Sequence, residues 1–203
     1  MIVTVTSFKG GVGKSTTAIH LAAYLQGNAP TLLVDGDLNR TVLGWAQRGA
    51  ANGFETPFKV VDEEQGVKYA RKFEHIVIDT PARPSDENLK TLADGCDFLI
   101  IPSTPDAFGI DALMKTIQAL AELDAERYKI LITIIPPYPS KEGERAQDSL
   151  IKAGLPVFST MIRRLSAFQK AALLGVPVYE VSDPRADEAW KDYATVGQEM
   201  LPG

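Results

Sequence analysis

The sequence predicts an α/β fold, a mostly parallel twisted sheet with helices on both faces, and three observations carry that prediction. Short apolar, β-branched runs recur along the whole chain, and most lack the period of two that marks a half-exposed strand. Helical patterns separate nearly all of these runs, as crossover connections in βαβ units require. A glycine-rich loop stands between the opening strand and the first helix.

Taken in order, the strands are expected at Ile2–Thr6, Thr31–Val34, Phe58–Val61, His75–Ile78, Phe98–Pro102, Ile130–Ile135 and Pro156–Phe158. Helices are expected near 15–26, 41–50, 85–94, 107–124, 144–153, 166–174 and 185–200. The pattern is clearest over Asp106–Leu123, where Ile110, Leu113, Ile117, Leu120 and Ala121 fall at helical spacing. No linker, repeat or low-complexity block interrupts residues 1–203, which read as one domain.

The chain has 203 residues, 45% hydrophobic and 23% charged, a balance that excludes disordered and collagen-like chains. Its one cysteine, Cys96, cannot form an internal disulfide and reads as a small core residue. With no apolar run of membrane-spanning length and no leader pattern, a cytoplasmic location is expected. Trp45 and Trp190 read as packing residues, and His20 and His75 lack companions for a zinc site.

The chemistry starts at Ser7-Phe8-Lys9-Gly10-Gly11-Val12-Gly13-Lys14-Ser15-Thr16. A phosphate cradle needs backbone N–H groups turned inward, and Gly10, Gly11 and Gly13 permit that path around Val12. A helix starting near Lys14 aims its dipole at the same place. From there Lys14 reaches the β- and γ-phosphates, the Ser15 hydroxyl is offered to Mg²⁺, and Thr16 lies near the α-phosphate. The common phosphate-loop pattern has a glycine where Phe8 stands, and a second lysine, Lys9, opens the loop.

Lys9–Thr16 resembles the deviant Walker A motif of the ParA/MinD superfamily of ATPases, and the likeness is closest to short, plasmid-type, ParF-like partition proteins. The resemblance implies a P-loop NTPase fold, ATP and Mg²⁺ as cofactors, and a homodimer formed on ATP. Within that dimer Lys9 crosses to the phosphates of the partner's nucleotide, while Lys14 serves its own. The loop Pro102–Pro105 is implied to approach the same interface.

Three carboxylates are candidates to complete the site. Asp35 and Asp37 follow the second strand, at the sheet edge where ligands collect in open α/β folds. The resemblance implies that Asp37 positions the attacking water and that Asp35 helps organise Mg²⁺ and Ser15. Residue chemistry alone also allows both to cap the next helix. His75-Ile76-Val77-Ile78-Asp79 has the Walker B form, a buried strand ending in the carboxylate that holds the metal, here Asp79. Where the family usually continues the Asp37 turn with Pro-Gln, this chain has Leu38-Asn39-Arg40. After Pro81 relatives often carry a glycine, and here the loop reads Ala82-Arg83-Pro84-Ser85. The guanine-specifying [NT]-K-x-D motif is absent. Pro136, which opens Pro136-Pro137-Tyr138-Pro139, stands where family members pack adenine, although the run reads equally as a rigid polyproline turn.

Net charge is −5, which on its own argues against a nucleic-acid partner. It is unevenly distributed. Ser149–Tyr179 holds Lys152, Arg163, Arg164 and Lys170 and no acid, so this window is +4 and the remainder −9. The resemblance places non-specific DNA binding in this region, through phosphate neutralisation that weakens with salt. Residues 180–203 hold six acids against two bases, unlike the basic membrane-binding helix of MinD. The function expected is therefore an ATPase that is nucleoid-associated and segregates a plasmid through a ParB-like adaptor. Positioning of a protein cargo, such as a carboxysome or chemoreceptor cluster, is the alternative, and a P-loop metabolic ligase a more distant one.

Overall fold

A computed structural model describes residues 1–201 except Asp124 and Glu126, with the backbone alone at Asp86. Its strands are β1 (Ile2–Ser7), β2 (Thr31–Asp35), β3 (Lys59–Asp62), β4 (His75–Ala82), β5 (Phe98–Ser103) and β6 (Tyr128–Ile132). They form one sheet in the order β3-β2-β4-β1-β5-β6, and every pairing is parallel. The helices are α1 (Lys14–Gln26), α2 (Thr41–Ala51), α3 (Glu63–Tyr69), α4 (Asp86–Asp94), α5 (Ala107–Glu122), α6 (Glu142–Lys152), α7 (Ser166–Leu174) and α8 (Ala186–Met200).

Continuous apolar strands have their physical reason here, because both faces of the sheet are covered. Val3, Val5, Leu33, Val77, Ile100 and Leu131 point to one side and pack against α1 and α8 through Leu21, Leu25, Tyr193 and Val196. Their neighbours Leu99, Ile101, Ile130 and Ile132 point to the other and meet Leu89 of α4, Leu113, Ile117 and Leu120 of α5, and Leu150 of α6. Trp45 stacks on Phe58 with ring centroids 6.0 Å apart, and Cys96 is buried in the second cluster.

Two of the expected elements are corrected. Pro156–Phe158 is not a strand of the sheet; Val157 makes an isolated bridge to Ile130 at the edge of β6. Nor does β6 extend to Ile135. It ends at Ile132 because Thr133 turns inward, its hydroxyl donating to the Val12 carbonyl at 2.8 Å, and Ile134 takes φ +55°. Helix α3 is an element beyond those expected; its N-cap is Asp62, accepting from the Gln65 N–H at 2.8 Å.

Candidate functional site

The carboxyl ends of β1, β2 and β4 lie side by side, and the site is assembled there. Between β1 and α1 the chain passes through Gly11 at φ +77° and Gly13 at φ +84°, left-handed values that glycine adopts without strain. A Cβ added at Gly10, Gly11 or Gly13 would meet nothing within 4 Å, so the hollow of the loop is open. No side chain caps α1 and its first turn holds no acid. An uncapped helix start facing an open glycine loop is an anion site. Lys14 is buried beside it and, among the described residues, makes no ion pair.

Register sets the carboxylates. Asp79 on β4 pairs with Val5 of β1 and with Asp35 of β2, which brings two fully buried acids to adjacent strands. The Ser15 hydroxyl donates to Asp79 Oδ2 at 2.6 Å, while Oδ1 is buried with no hydrogen-bond partner. Burial pushes the Asp79 carboxyl up to about 7; the Ser15 hydrogen bond and Lys14 oppose this, and Asp35 and Asp37 add to it. An orphaned buried oxygen next to a serine hydroxyl suits a hard divalent cation, which carries the charge that this acid otherwise lacks support for. Ser15 and Asp79 would hold Mg²⁺; among the described residues no cluster of three or more acidic, His or Cys ligands does so without a phosphate.

Asp35, expected to help organise the metal, is already engaged with backbone N–H groups. Its Oδ2 accepts from the N–H groups of Val42 and Leu43 at 3.0 and 2.9 Å, and its Oδ1 from the Asp37 N–H at 3.2 Å. The carboxylate is spent on the start of α2, where Arg40 at φ +51° provides no side-chain cap. Asp37 sits in an exposed turn, its Oδ1 accepting from the backbone N–H and side-chain amide of Asn39 at 2.9 and 3.0 Å. Asp37 reaches Asp79 through its charge and makes no hydrogen bond to it or to Ser15.

Lys9 lies across the loop's mouth. Its ammonium is 3.2 Å from Asp106 Oδ1 and 3.4 Å from Thr104 Oγ1, both of its own chain. Asp106 is the N-cap of α5 and also receives the Thr104 hydroxyl and the Gly109 N–H. Thr104 first, with Gly109 and Lys9 after it, holds the Asp106 carboxyl below the usual range. Opposite Lys9, Arg83 follows the end of β4 at φ +58° immediately before Pro84, a conformation costing a non-glycine residue roughly 1–2 kcal/mol. Its N–H donates to the Ser7 carbonyl and its Nε to the Phe8 carbonyl, each at 3.2 Å.

Beside the loop opens a mostly apolar cavity of about 270 Å³, lined by Gly13, Thr16, Ile134, Leu165, Phe168 and Gln169 among others. Pro136, the expected base-packing residue, is not in its wall; the positive φ at Ile134 turns the chain so that Thr133 and Ile134 form it instead. His20 supports the cavity from behind. It stacks on Tyr193, and its Nδ1 lies 2.7 Å from the Thr16 carbonyl while its Nε2 accepts from the Val178 N–H at 3.1 Å. Those partners fix the Nδ1–H tautomer, and burial lowers the pKa to about 4.

The basic window is acid-free in sequence and not in space. Arg163 pairs with Asp192 and Glu188 of α8, each at 2.7 Å, and Lys170 pairs with Asp183 at 2.8 Å. These two of the four expected DNA contacts are thus engaged within the chain. Lys152 and Arg164 are exposed and, among the described residues, form no ion pair.

Sequence reasoning missed Thr104 and Asp106 as partners of Lys9, Arg83 at the loop, and Thr133, Ile134 and Phe168 around the cavity. The first pair was detectable, since Thr-Pro-Asp before a periodic helix is a capping signature. The rest depend on contacts distant in sequence.

Comparison with known proteins agrees with this geometry. Residues 3–178 match the family described as the CobQ/CobB/MinD/ParA nucleotide binding domain. The chain is 32% identical over 204 residues to a maintenance of carboxysome distribution protein A from Gloeobacter kilaueensis, covering 98% of this chain and 93% of that protein. It is 25% identical over 199 residues to a protein ParA from Rhizobium radiobacter, covering 93% and 89%. Among solved structures, a plasmid partition protein from Borrelia burgdorferi bound to AMPPNP superposes with a TM-score of 0.74 at 18% identity, covering 98% and 99%. The fold is the α/β P-loop NTPase fold, and the chain belongs to the CobQ/CobB/MinD/ParA nucleotide-binding domain family.

Proposed function

We propose that this protein is a Mg²⁺-dependent ATPase that dimerises on ATP, binds DNA without sequence preference, and couples hydrolysis to the positioning of a cargo. The observation that carries this reading is the Ser15–Asp79 pair with its orphaned oxygen, set under an open glycine loop that already holds Lys14. The N–H groups of Gly10–Thr16 and the Lys14 ammonium bind the phosphates, and Ser15 and Asp79 hold the metal. The cation supplies charge neutralisation of the terminal phosphates. The cavity behind Thr16 accepts the base and ribose, being apolar and adjoining the loop. Asp37, held in the turn after β2 by Asn39, is assigned to orient the attacking water once the nucleotide is in place.

Lys9 is assigned to the partner's phosphates. Exposed Leu38, next to Asp37, and Phe108, two residues from Asp106, stand 84% and 78% accessible. Such apolar side chains on the same edge as the phosphate loop suit a face covered by a second copy. DNA contact falls to Lys152 and Arg164, with Arg163 and Lys170 contributing mainly to the fold. A cytoplasmic, nucleoid-associated location follows from that reading.

The cargo is proposed to be a plasmid, reached through a ParB-like adaptor. Protein cargo is the second reading, and the 32% identity to a carboxysome distribution protein over nearly the whole chain supports it. Retention of wild-type protein on unrelated duplex DNA tests the core of the proposal. Retention is expected with Mg·ATP and not with Mg·ADP, and is expected to fall steeply with salt. Retention independent of nucleotide, or flat with salt, contradicts it.

A further inference from the structure

Arg83 combines three properties that a purely structural residue has no reason to combine. It lies one residue beyond β4, the strand that presents Asp79. It holds φ +58° directly before a proline, where glycine would sit without strain and where the preceding residue ordinarily stays extended. Its guanidinium is nevertheless drawn onto the phosphate loop, Nε bonding the Phe8 carbonyl at 3.2 Å while the backbone N–H bonds Ser7. Strain kept at a site where a smaller residue would relieve it marks function served by the side chain.

We propose that Arg83 is a further catalytic residue: its terminal guanidinium nitrogens contact the γ-phosphate of the nucleotide bound by its own chain. This inference rests on the ATPase reading above. Nε anchors the group at the loop's mouth, and among the described residues Nη1 and Nη2 make no hydrogen bond. Those two donors form the flat fork that matches a pair of phosphate oxygens, which a lysine cannot reproduce. In the hydrolysis the water oxygen bonds to the terminal phosphorus while the bridging P–O bond to ADP breaks, giving ADP, inorganic phosphate and a proton. Arg83 makes and breaks no bond in that step. It neutralises charge on the non-bridging oxygens.

The test compares wild type, Arg83→Gly and Arg83→Lys in calorimetric binding of Mg·ADP and in phosphate release from Mg·ATP. Arg83→Gly removes the charge and relieves the backbone, so its thermal midpoint is expected to be no lower than wild type and its ADP affinity to lie within threefold. Its turnover is expected to fall about 10²-fold or more. Arg83→Lys, which keeps a charge without the fork, is expected to lose at least tenfold and serves as the readout if the glycine variant folds poorly. Turnover by both variants within threefold of wild type overturns the proposal, as does an equal loss of ADP affinity and turnover, which marks a role in loop structure alone. A wild-type protein that binds no ATP instead contradicts the ATPase reading itself.

Discussion

The Lys9 ammonium lies 3.2 Å from Asp106 Oδ1 within one chain, so the lysine assigned to a partner's phosphates is engaged at home before any partner arrives. On the proposed reading, dimerisation breaks that pair. Both groups are partly exposed, at 31% and 48%, which puts the pair in the weak range of surface ion pairs, about 0.2–1 kcal/mol. Asp106→Asn keeps a capping side chain for α5 and removes the charge. The ATP concentration for half-maximal dimerisation is expected to fall about two- to fivefold, measured by light scattering, with stability unchanged within about 0.5 kcal/mol.

Removing the metal separates the roles of Asp79. In Asp79→Asn, nucleotide binding with Mg²⁺ is expected to weaken at least tenfold, while binding in EDTA stays near wild type. The wild-type carboxyl is raised to about 7 by burial, so the folded state holds its proton more tightly than the unfolded chain. Apo stability therefore declines as pH rises from about 4 to 7, and the Asn variant is expected to flatten that decline in denaturant titrations.

His20 works in the opposite direction. Its folded pKa of about 4 lies below the unfolded value of 6.5, so folding requires the neutral ring. The contribution is fully present above pH 6.5 and is lost as pH falls toward 4, with a magnitude of order 3 kcal/mol. Replacing His20 with Gln is expected to lower stability at pH 7.5 and to shrink the acid-side loss, both readable from urea midpoints at a series of pH values.

Variants of Arg163, Lys152 and Arg164 should divide into two kinds. Arg163→Ala leaves the buried Asp192 carboxylate with the backbone N–H of residue 163 but without the guanidinium, and is expected to cost about 1–3 kcal/mol. Lys152→Ala and Arg164→Ala are expected to change stability by less than about 0.5 kcal/mol and to weaken DNA retention, each reducing the salt slope by about one unit. Thermal melts and retention on duplex DNA at several salt concentrations check both halves.

Much of this molecule is readable from its residues because local and global preferences agree. Strand runs such as Leu32–Val34 and Phe98–Ile101 alternate between two apolar clusters, so continuous hydrophobicity reports a sheet covered on both sides. Glycines that need positive φ announced the phosphate loop, and Asp79 followed from a buried strand ending in an acid. The contacts that could not be read from the sequence involve partners distant in it. Asp35 reads as a ligand until the N–H groups of Val42 and Leu43 are found on it. Arg163 and Lys170 read as a free basic patch until α8 and its preceding loop bring Asp192, Glu188 and Asp183 alongside. That Ile134 and not Pro136 lines the cavity follows from one backbone turn that no propensity for a β-branched residue foretells.

The central claim is that one ATP-loaded site is completed across two copies through Lys9. Light scattering of wild type and Lys9→Ala in Mg·ATP, with Mg·ADP as the reference, tests it most directly. Wild type is expected to show a dimer mass with ATP alone, and Lys9→Ala a monomer mass in either nucleotide despite ATP affinity within a few-fold of wild type. A wild-type monomer in saturating Mg·ATP, or a Lys9→Ala dimer as stable as wild type, contradicts it.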